Sequence, residues 1–300
     1  MEAKRILLIR PCALGDFVLT MPVLYVLEEH FPQAEITLVG NPQHKDLASG
    51  LLDSALDYSS AQFTSLFSDP DESLRGWLAQ FDLALCYLPD EDGRLRANLR
   101  KAGIRTVVVH NPRREGGGHF ADELMLALRE IGIAPPPAME IAKLRYHASP
   151  AVCTPEKPVS VHPGSGSARK VWPAERFAEL CDQIRAVLIE GPIDADVAAR
   201  VRALARRPIE TWRPPTLAAL RDCLLRCSAF VGNDSGVTHL AAMLGLPTVA
   251  IFGPTDPRRW APLGRRVHVL GGELPCTRGR SFDNVEVEDV LHGLRVVCLG

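Results

Sequence analysis

The sequence predicts an α/β protein made of two Rossmann-like lobes whose parallel sheets face one another across a central cleft. Three observations predict it. Short apolar strands alternate with amphipathic helices through both halves of the 300 residues, and repeated βα units imply parallel sheets with right-handed crossovers. A stretch holding six prolines between residues 134 and 158 separates the halves; proline lacks an N–H and fixes φ, so the stretch reads as a stiff linker. Three strings rich in small residues follow predicted strands, after Ile9, His162 and Val231, where ligands bind in sheets of this kind. The expected domains are residues 1–150 and 151–300, with a last helix able to cross back to the first lobe.

The elements follow in order. Ile6 to Ile9 is a short buried strand, and Pro22 to His30 is a helix with apolar Val23, Leu24, Val26 and Leu27. Glu35 to Val39 is a second strand. Ala55 to Asp57 reads as a short strand and the residues up to 80 as loop. Leu83 to Tyr87 and Thr106 to Val109 are strands separated by a helix through Leu95 and Leu99, and Ala121 to Ile131 is an amphipathic helix. In the second half Pro158 to His162 is a strand. Pro173 to Arg185 is a helix opened by proline in its first turn, where a missing N–H costs nothing. Ala186 to Glu190 is a strand, and Asp194 to Arg206 and Leu217 to Cys227 are helices. Ala229 to Val231, Thr248 to Phe252 and Val267 to Leu270 complete the strands.

Composition excludes several classes. A net charge of −2 lacks the basic surplus of a general nucleic-acid binder. The eight cysteines form no CxxC pair, so metal-ligand spacing is absent and reduced, buried, structural thiols are expected. Arg10 and Pro11 cut the first apolar run, so no secretory signal is read. No apolar stretch approaches the roughly 20 residues that span a bilayer. The expectation is a cytoplasmic protein with no transmembrane segment; peripheral work at the inner face of the cytoplasmic membrane is compatible with it.

Three strings carry chemistry. In Phe230 to Thr255 a strand runs into Asp234-Ser235-Gly236, a helix, a Gly-Leu-Pro stop and a second strand. Backbone N–H groups at that helix start, with the helix dipole, make a place for phosphate. The apolar stripe is Val237, Leu240, Ala241 and Leu244, and His239 lies about 200° from Val237 on the wheel. It therefore reads as off the core, beside Ser235; a solvated His and an ordinary Asp/Ser cap is the competing reading. The string has no G-x-S-x-G spacing and offers no hydrolase triad.

In Val161 to Pro173 a small-residue loop with Gly164 and Ser165 precedes Arg169 and Lys170. Such a loop lets N–H groups approach an anion. It is neither a Walker loop nor a dinucleotide fingerprint, and a flexible loop with a surface lysine competes. Near the N-terminus Gly15-Asp16 sets a carboxylate at a strand end, suited to accept a substrate proton or only to cap a helix. Asp194-Ala195-Asp196 is a D-x-D string. It opens a predicted helix, and helix-start acids or a ribose contact are favoured over a metal site.

These strings resemble glycosyltransferase family 9, the ADP-heptose:lipopolysaccharide heptosyltransferases. The resemblance rests on Gly15-Asp16 with Thr20 and Pro22, on Lys170-Val171-Trp172-Pro173, on Asp234 to Ala242, and on Gly245-Leu246-Pro247 followed by Phe252 to Thr255. It implies a GT-B fold with an acceptor-side first lobe and a nucleotide-sugar-binding second lobe. It implies an inverting, metal-independent transfer, with no cofactor besides the ADP-sugar donor. Asp16 is then the base and Lys170 the stabiliser of the leaving diphosphate. Ser235 and Gly236, helped by Gly164 and Ser165, bind phosphate, and Asp234 and His239 shape the donor site. The acceptor is a lipid-linked saccharide at the membrane surface, and Arg113 and Arg114 either meet its acidic groups or form a solvated turn. Where the family shows Gly-Gly-Pro and a nearby Glu, this chain has Glu190-Gly191-Pro192 and only Asp194 or Asp196, so the nucleoside contact falls to those two. Four alternatives stay open: a non-catalytic nucleotide-binding protein that keeps the fold, a transferase with another nucleotide-sugar and acceptor, an NAD enzyme, and a metal-dependent transferase using Asp194 and Asp196.

Overall fold

The computed structural model describes residues 3–112, 117–146, 156–272, 282 and 284–299. The chain divides into two compact units, Met1–Ile141 and Ala142–Gly300.

The first unit is a parallel five-stranded sheet of β1 (Arg5–Ile9), β2 (Glu35–Gly40), β3 (Ser54–Asp57), β4 (Leu83–Cys86) and β5 (Thr106–Val109), in the order β3-β2-β1-β4-β5. Its helices are α1 (Leu14–Val18), α2 (Met21–His30), α3 (Glu72–Leu78), α4 (Arg94–Lys101), α5 (Phe120–Arg129) and α6 (Ala138–Arg145), which runs across the boundary into the second unit. Ile6, Leu7, Leu8 and Ile9 are all buried, as expected of a strand covered on both faces. The order reverses between β1 and β4, so the ends of those two strands flank the switch point where ligands bind in such sheets.

The second unit repeats the plan with six strands: β6 (Val159–His162), β7 (Ala186–Ile189), β8 (Glu210–Trp212), β9 (Ala229–Asn233), β10 (Thr248–Phe252) and β11 (Val267–Gly271). Their order is β11-β10-β9-β6-β7-β8, all pairs parallel. The helices are α7 (Ala174–Gln183), α8 (Ala195–Leu204), α9 (Leu217–Leu225), α10 (Gly236–Met243), α11 (Pro257–Trp260) and α12 (Val287–Leu299). Here the switch point falls between β6 and β9. Trp172 anchors the core below it. It is fully buried, packs edge-on against Phe177 and donates its indole N–H to the Val285 carbonyl at 3.0 Å. The last helix, α12, packs on α7, β9, β10 and β11 of its own unit.

Three expectations are corrected and one strand is added. The span between β3 and β4 holds a 3-10 turn at Ala61–Phe67 and helix α3, capped by Asp71, whose side chain accepts from the Leu74 N–H. The proline-rich stretch is not linker throughout, because α6 begins directly after Pro137; proline tolerates a helix start as well as it breaks an interior. Strand β8 pairs with β7 although only three residues long. The expectation of reduced thiols holds for Cys86, Cys181 and Cys227, which are free and buried, with pKa values raised by that burial; Cys298 is disulfide-bonded.

Candidate functional site

The second unit's switch point is a cluster built around Asp234. Strand β9 ends at Asn233, whose fully buried amide ties the two neighbouring loops together. Its Nδ2 donates to the carbonyls of Pro163 (2.8 Å) and Gly164 (3.3 Å), and its Oδ1 accepts the Trp172 N–H at 3.0 Å. A buried amide with donor and acceptor sides both satisfied holds a loop in one place. The next residue, Asp234, is 7% exposed. Its Oδ2 accepts from the Lys170 ammonium and the Thr255 hydroxyl, each at 2.7 Å, and its carbonyl accepts from the Ser165 hydroxyl at 2.8 Å. His239 Nε2 lies 3.9 Å from the other carboxylate oxygen. Asp234, at the end of β9, thus collects groups from the β6 and β10 loops.

Helix α10 starts beside it. Ser235 is its N-cap, with Oγ accepting the Thr238 N–H at 3.4 Å. The N–H groups of Ser235 and Gly236 have no acceptor among the described residues. Both residues are half-buried, so open donors, the helix dipole and the Lys170 ammonium meet in one place. Lys170 spends one N–H on Asp234 and keeps two more, and its side chain is 31% exposed.

His239 is buried at 4% exposure, which corrects its reading as a residue off the core. The wheel argument fails because α10 is buried from Thr238 to Met243, all around its circumference; periodicity identifies a solvent face only on a helix that has one.

The D-x-D pair is split. Asp194 is buried, accepting from His162 Nε2 at 2.9 Å and from the Gly191 N–H at 3.2 Å. Asp196 lies exposed in the first turn of α8. Burial raises the Asp194 pKa, but the hydrogen bond and charge of His162 and the Gly191 N–H outweigh it, leaving the carboxyl below its ordinary value. With Nε2 bonded to that carboxylate, His162 presents Nδ1 to the Ser235 hydroxyl at 3.3 Å. The Asp194–His162–Ser235 chain supports the cap of α10 from behind. Gly164 is wedged against it: a Cβ there meets the Asp194 carboxylate atoms at 2.0–2.7 Å. No group of three metal-ligating side chains occurs among the described residues.

In the first unit Asp16 lies half-buried inside α1, whose N-cap is Ala13, so it is not the capping residue. The Thr20 hydroxyl donates to the Asp16 carbonyl at 2.8 Å and accepts from Arg10 Nε at 3.2 Å. Arg113 and Arg114 lie outside the described residues.

Sequence reasoning missed Asn233, His162, Thr238 and Thr255. All four stand in or beside the quoted strings, but their importance is in hydrogen bonds between segments, which spacing along one segment does not reveal.

The sequence profile of glycosyltransferase family 9 (heptosyltransferase) matches residues 117–288. This chain is similar to lipooligosaccharide heptosyltransferase 2 of Campylobacter jejuni subsp. jejuni serotype O:2, at 25% identity over 89% of the chain and 87% of that protein. It is 30% identical to lipopolysaccharide heptosyltransferase 2 of Escherichia coli K12 over 34% of the chain and 32% of that protein. Among solved structures it resembles a family 9 glycosyl transferase from Veillonella parvula, with a TM-score of 0.77 at 21% identity over 100% of this chain and 98% of that one. It also resembles E. coli ADP-heptose lps heptosyltransferase II, with a TM-score of 0.73 at 22% identity over 98% of both chains. The architecture is the GT-B fold. The matched span holds the whole Asp234 cluster and leaves out Asp16.

Proposed function

Because the chain belongs to glycosyltransferase family 9, we propose that this glycosyltransferase moves a heptose from ADP-heptose to a lipid-linked, lipopolysaccharide-core-like acceptor, with inversion and without a metal. The observation that carries the reading is the Lys170–Asp234 pair set beside the open N–H groups of Ser235 and Gly236. In this reading the second unit holds the donor. As the anomeric C–O bond breaks, negative charge gathers on the departing diphosphate, and preorganised N–H donors and an ammonium stabilise charge where it develops. Asp234 keeps Lys170 in position through the reaction.

The first unit serves the acceptor. Asp16 takes the proton of the attacking hydroxyl as its oxygen bonds to the anomeric carbon, a general-base role. A single displacement inverts that carbon. Asp194 is occupied by His162, so the nucleoside contact at this edge falls to the exposed Asp196 or to backbone. Among the described residues no helix is long and apolar enough to cross a membrane; the proposed place of work is the cytoplasmic face of the inner membrane, where the lipid-linked acceptor is reached.

The test offers the protein ADP-heptose, ADP-glucose and UDP- and GDP-sugars with a lipid-core acceptor, with and without chelator, and reads product mass and anomeric configuration. Heptose transfer from the ADP donor, with inversion and indifference to chelator, is expected. Transfer from a different donor, a retained anomer, or loss of turnover on chelation overturns the corresponding element of the reading.

A further inference from the structure

We propose that Arg10, with His44 beside it, binds an anionic group of the acceptor, a carboxylate or a phosphoryl group, at the end of β1; the acceptor half of this statement rests on the transferase reading above. Arg10 is 5% exposed, yet among the described residues only its Nε finds an acceptor, the neutral Thr20 hydroxyl. Its Nη2 is buried with no hydrogen-bond partner, and no carboxylate pairs with the guanidinium among the described residues. The Tyr87 ring lies beneath it at 5.4 Å. A buried charge without a counter-ion is costly, and native proteins pair such groups.

Structural arginines of this chain show what saturation looks like. Arg96 donates to the carbonyls of Val107 and Val109 and reaches Glu130, and Arg176 donates to the carbonyls of Phe282 and Val285 and to Glu286. Arg10 has no such set. Its planar fork matches a carboxylate or phosphate edge.

The surroundings agree. His44 is 1% exposed, stacks on Phe17 at 4.2 Å, and its Nδ1 also lacks a partner. Burial first, and then the Arg10 charge, lower its pKa to about 4, so near neutrality it is an uncharged group with one ring N–H to offer. Through the Thr20 hydroxyl, Arg10 is one hydrogen bond away from the backbone of Asp16. An anion bound here lies at the same strand end as the proposed base, at the β1/β4 switch point.

Histidine-ring NMR on the full chain, titrated with inorganic phosphate and separately with acetate, tests it. A saturable shift of the His44 signals is expected with at least one anion. Phosphate alone identifies a phosphoryl group and acetate alone a carboxylate. The shift disappears in Arg10→Gln and survives in Lys170→Ala, which disables the second unit's phosphate cluster. His44 signals that ignore both anions, or move equally in Arg10→Gln, overturn the proposal. Should Arg10→Gln not fold, Arg10→Lys keeps a cation without the fork, and anion binding weakens roughly tenfold; unchanged binding overturns it. In transfer assays Arg10→Gln raises the acceptor KM roughly ten- to hundredfold and leaves the donor KM alone. If no sugar is transferred at all, the NMR still decides the Arg10 site and only the transferase reading falls. If transfer proceeds with an unchanged acceptor KM, the proposal falls and that reading stands.

Discussion

The two switch points are built alike and finished differently. In the second unit, at the ends of β6 and β9, Asp234 accepts from Lys170, Thr255 and Ser165 while Asn233 stitches the loops together. In the first, at the ends of β1 and β4, Arg10 keeps a buried Nη2 and His44 a buried ring nitrogen that find no partner among the described residues. Under the proposed function the first pattern serves as a preorganised receptor for the leaving diphosphate. The second holds donors that no described residue matches, the pattern the proposed acceptor anion would complete. What separates the two units is a carboxylate: Asp234 gathers Lys170 and Thr255 in the second, whereas among the described residues of the first no carboxylate pairs with Arg10.

The largest effect is expected at Asp16: Asp16→Ala lowers single-turnover transfer about a thousandfold with an unchanged Tm, and a loss under tenfold removes Asp16 as the base. Lys170→Ala follows, with about a hundredfold fall in kcat/KM for the donor; unaltered donor kinetics detach the Asp234 cluster from the diphosphate.

Two stability measurements contrast the ends directly. Asp234→Ala leaves Lys170 and Thr255 without their shared acceptor and costs about 3 kcal/mol in denaturant unfolding; a cost under 1 kcal/mol means that the cluster is not a tightly coupled unit. In the first unit the pH dependence comes from His44. Its folded pKa of about 4 lies below the ordinary 6.5, so the unfolded chain takes up the proton first. The stability it contributes is therefore whole above pH 6.5 and is lost as pH falls toward 4, about 3 kcal/mol in all. His44→Phe flattens that limb; an unchanged acid profile in the variant refutes the assignment. The smallest effect is at Gly164→Ala, where the new Cβ presses on Asp194 and costs about 1–3 kcal/mol. An unchanged Tm shows that the Asp194–His162 contact yields freely.

Much of this was legible along the chain. Val161, Val231 and Ile251 sit in short, mostly apolar and mostly buried strands flanked by turn residues, which is why the alternating order could be read. Gly236 after Asp234-Ser235 marked a helix start. What failed did so for identifiable reasons. α3 escaped because Glu72 to Leu78 is too short to show periodicity. His239 was misplaced because α10 has no wet face. Asp194 looked like one half of a pair with Asp196, whereas its partners are a histidine 32 residues earlier and a glycine N–H.

By itself the sequence determined the βα alternation, the two-unit plan and the strings that end at β6, β9 and β1, because these depend on local propensity and on apolar residues recurring at short spacing. Only the tertiary structure decided which side chains share an acceptor. Asp234 holds a lysine 64 residues before it and a threonine 21 residues after it, and Arg10 is left with a buried Nη2 that no described residue accepts. Hydrogen-bond saturation depends on three-dimensional neighbours brought by separate strands, and no pattern along one strand encodes it.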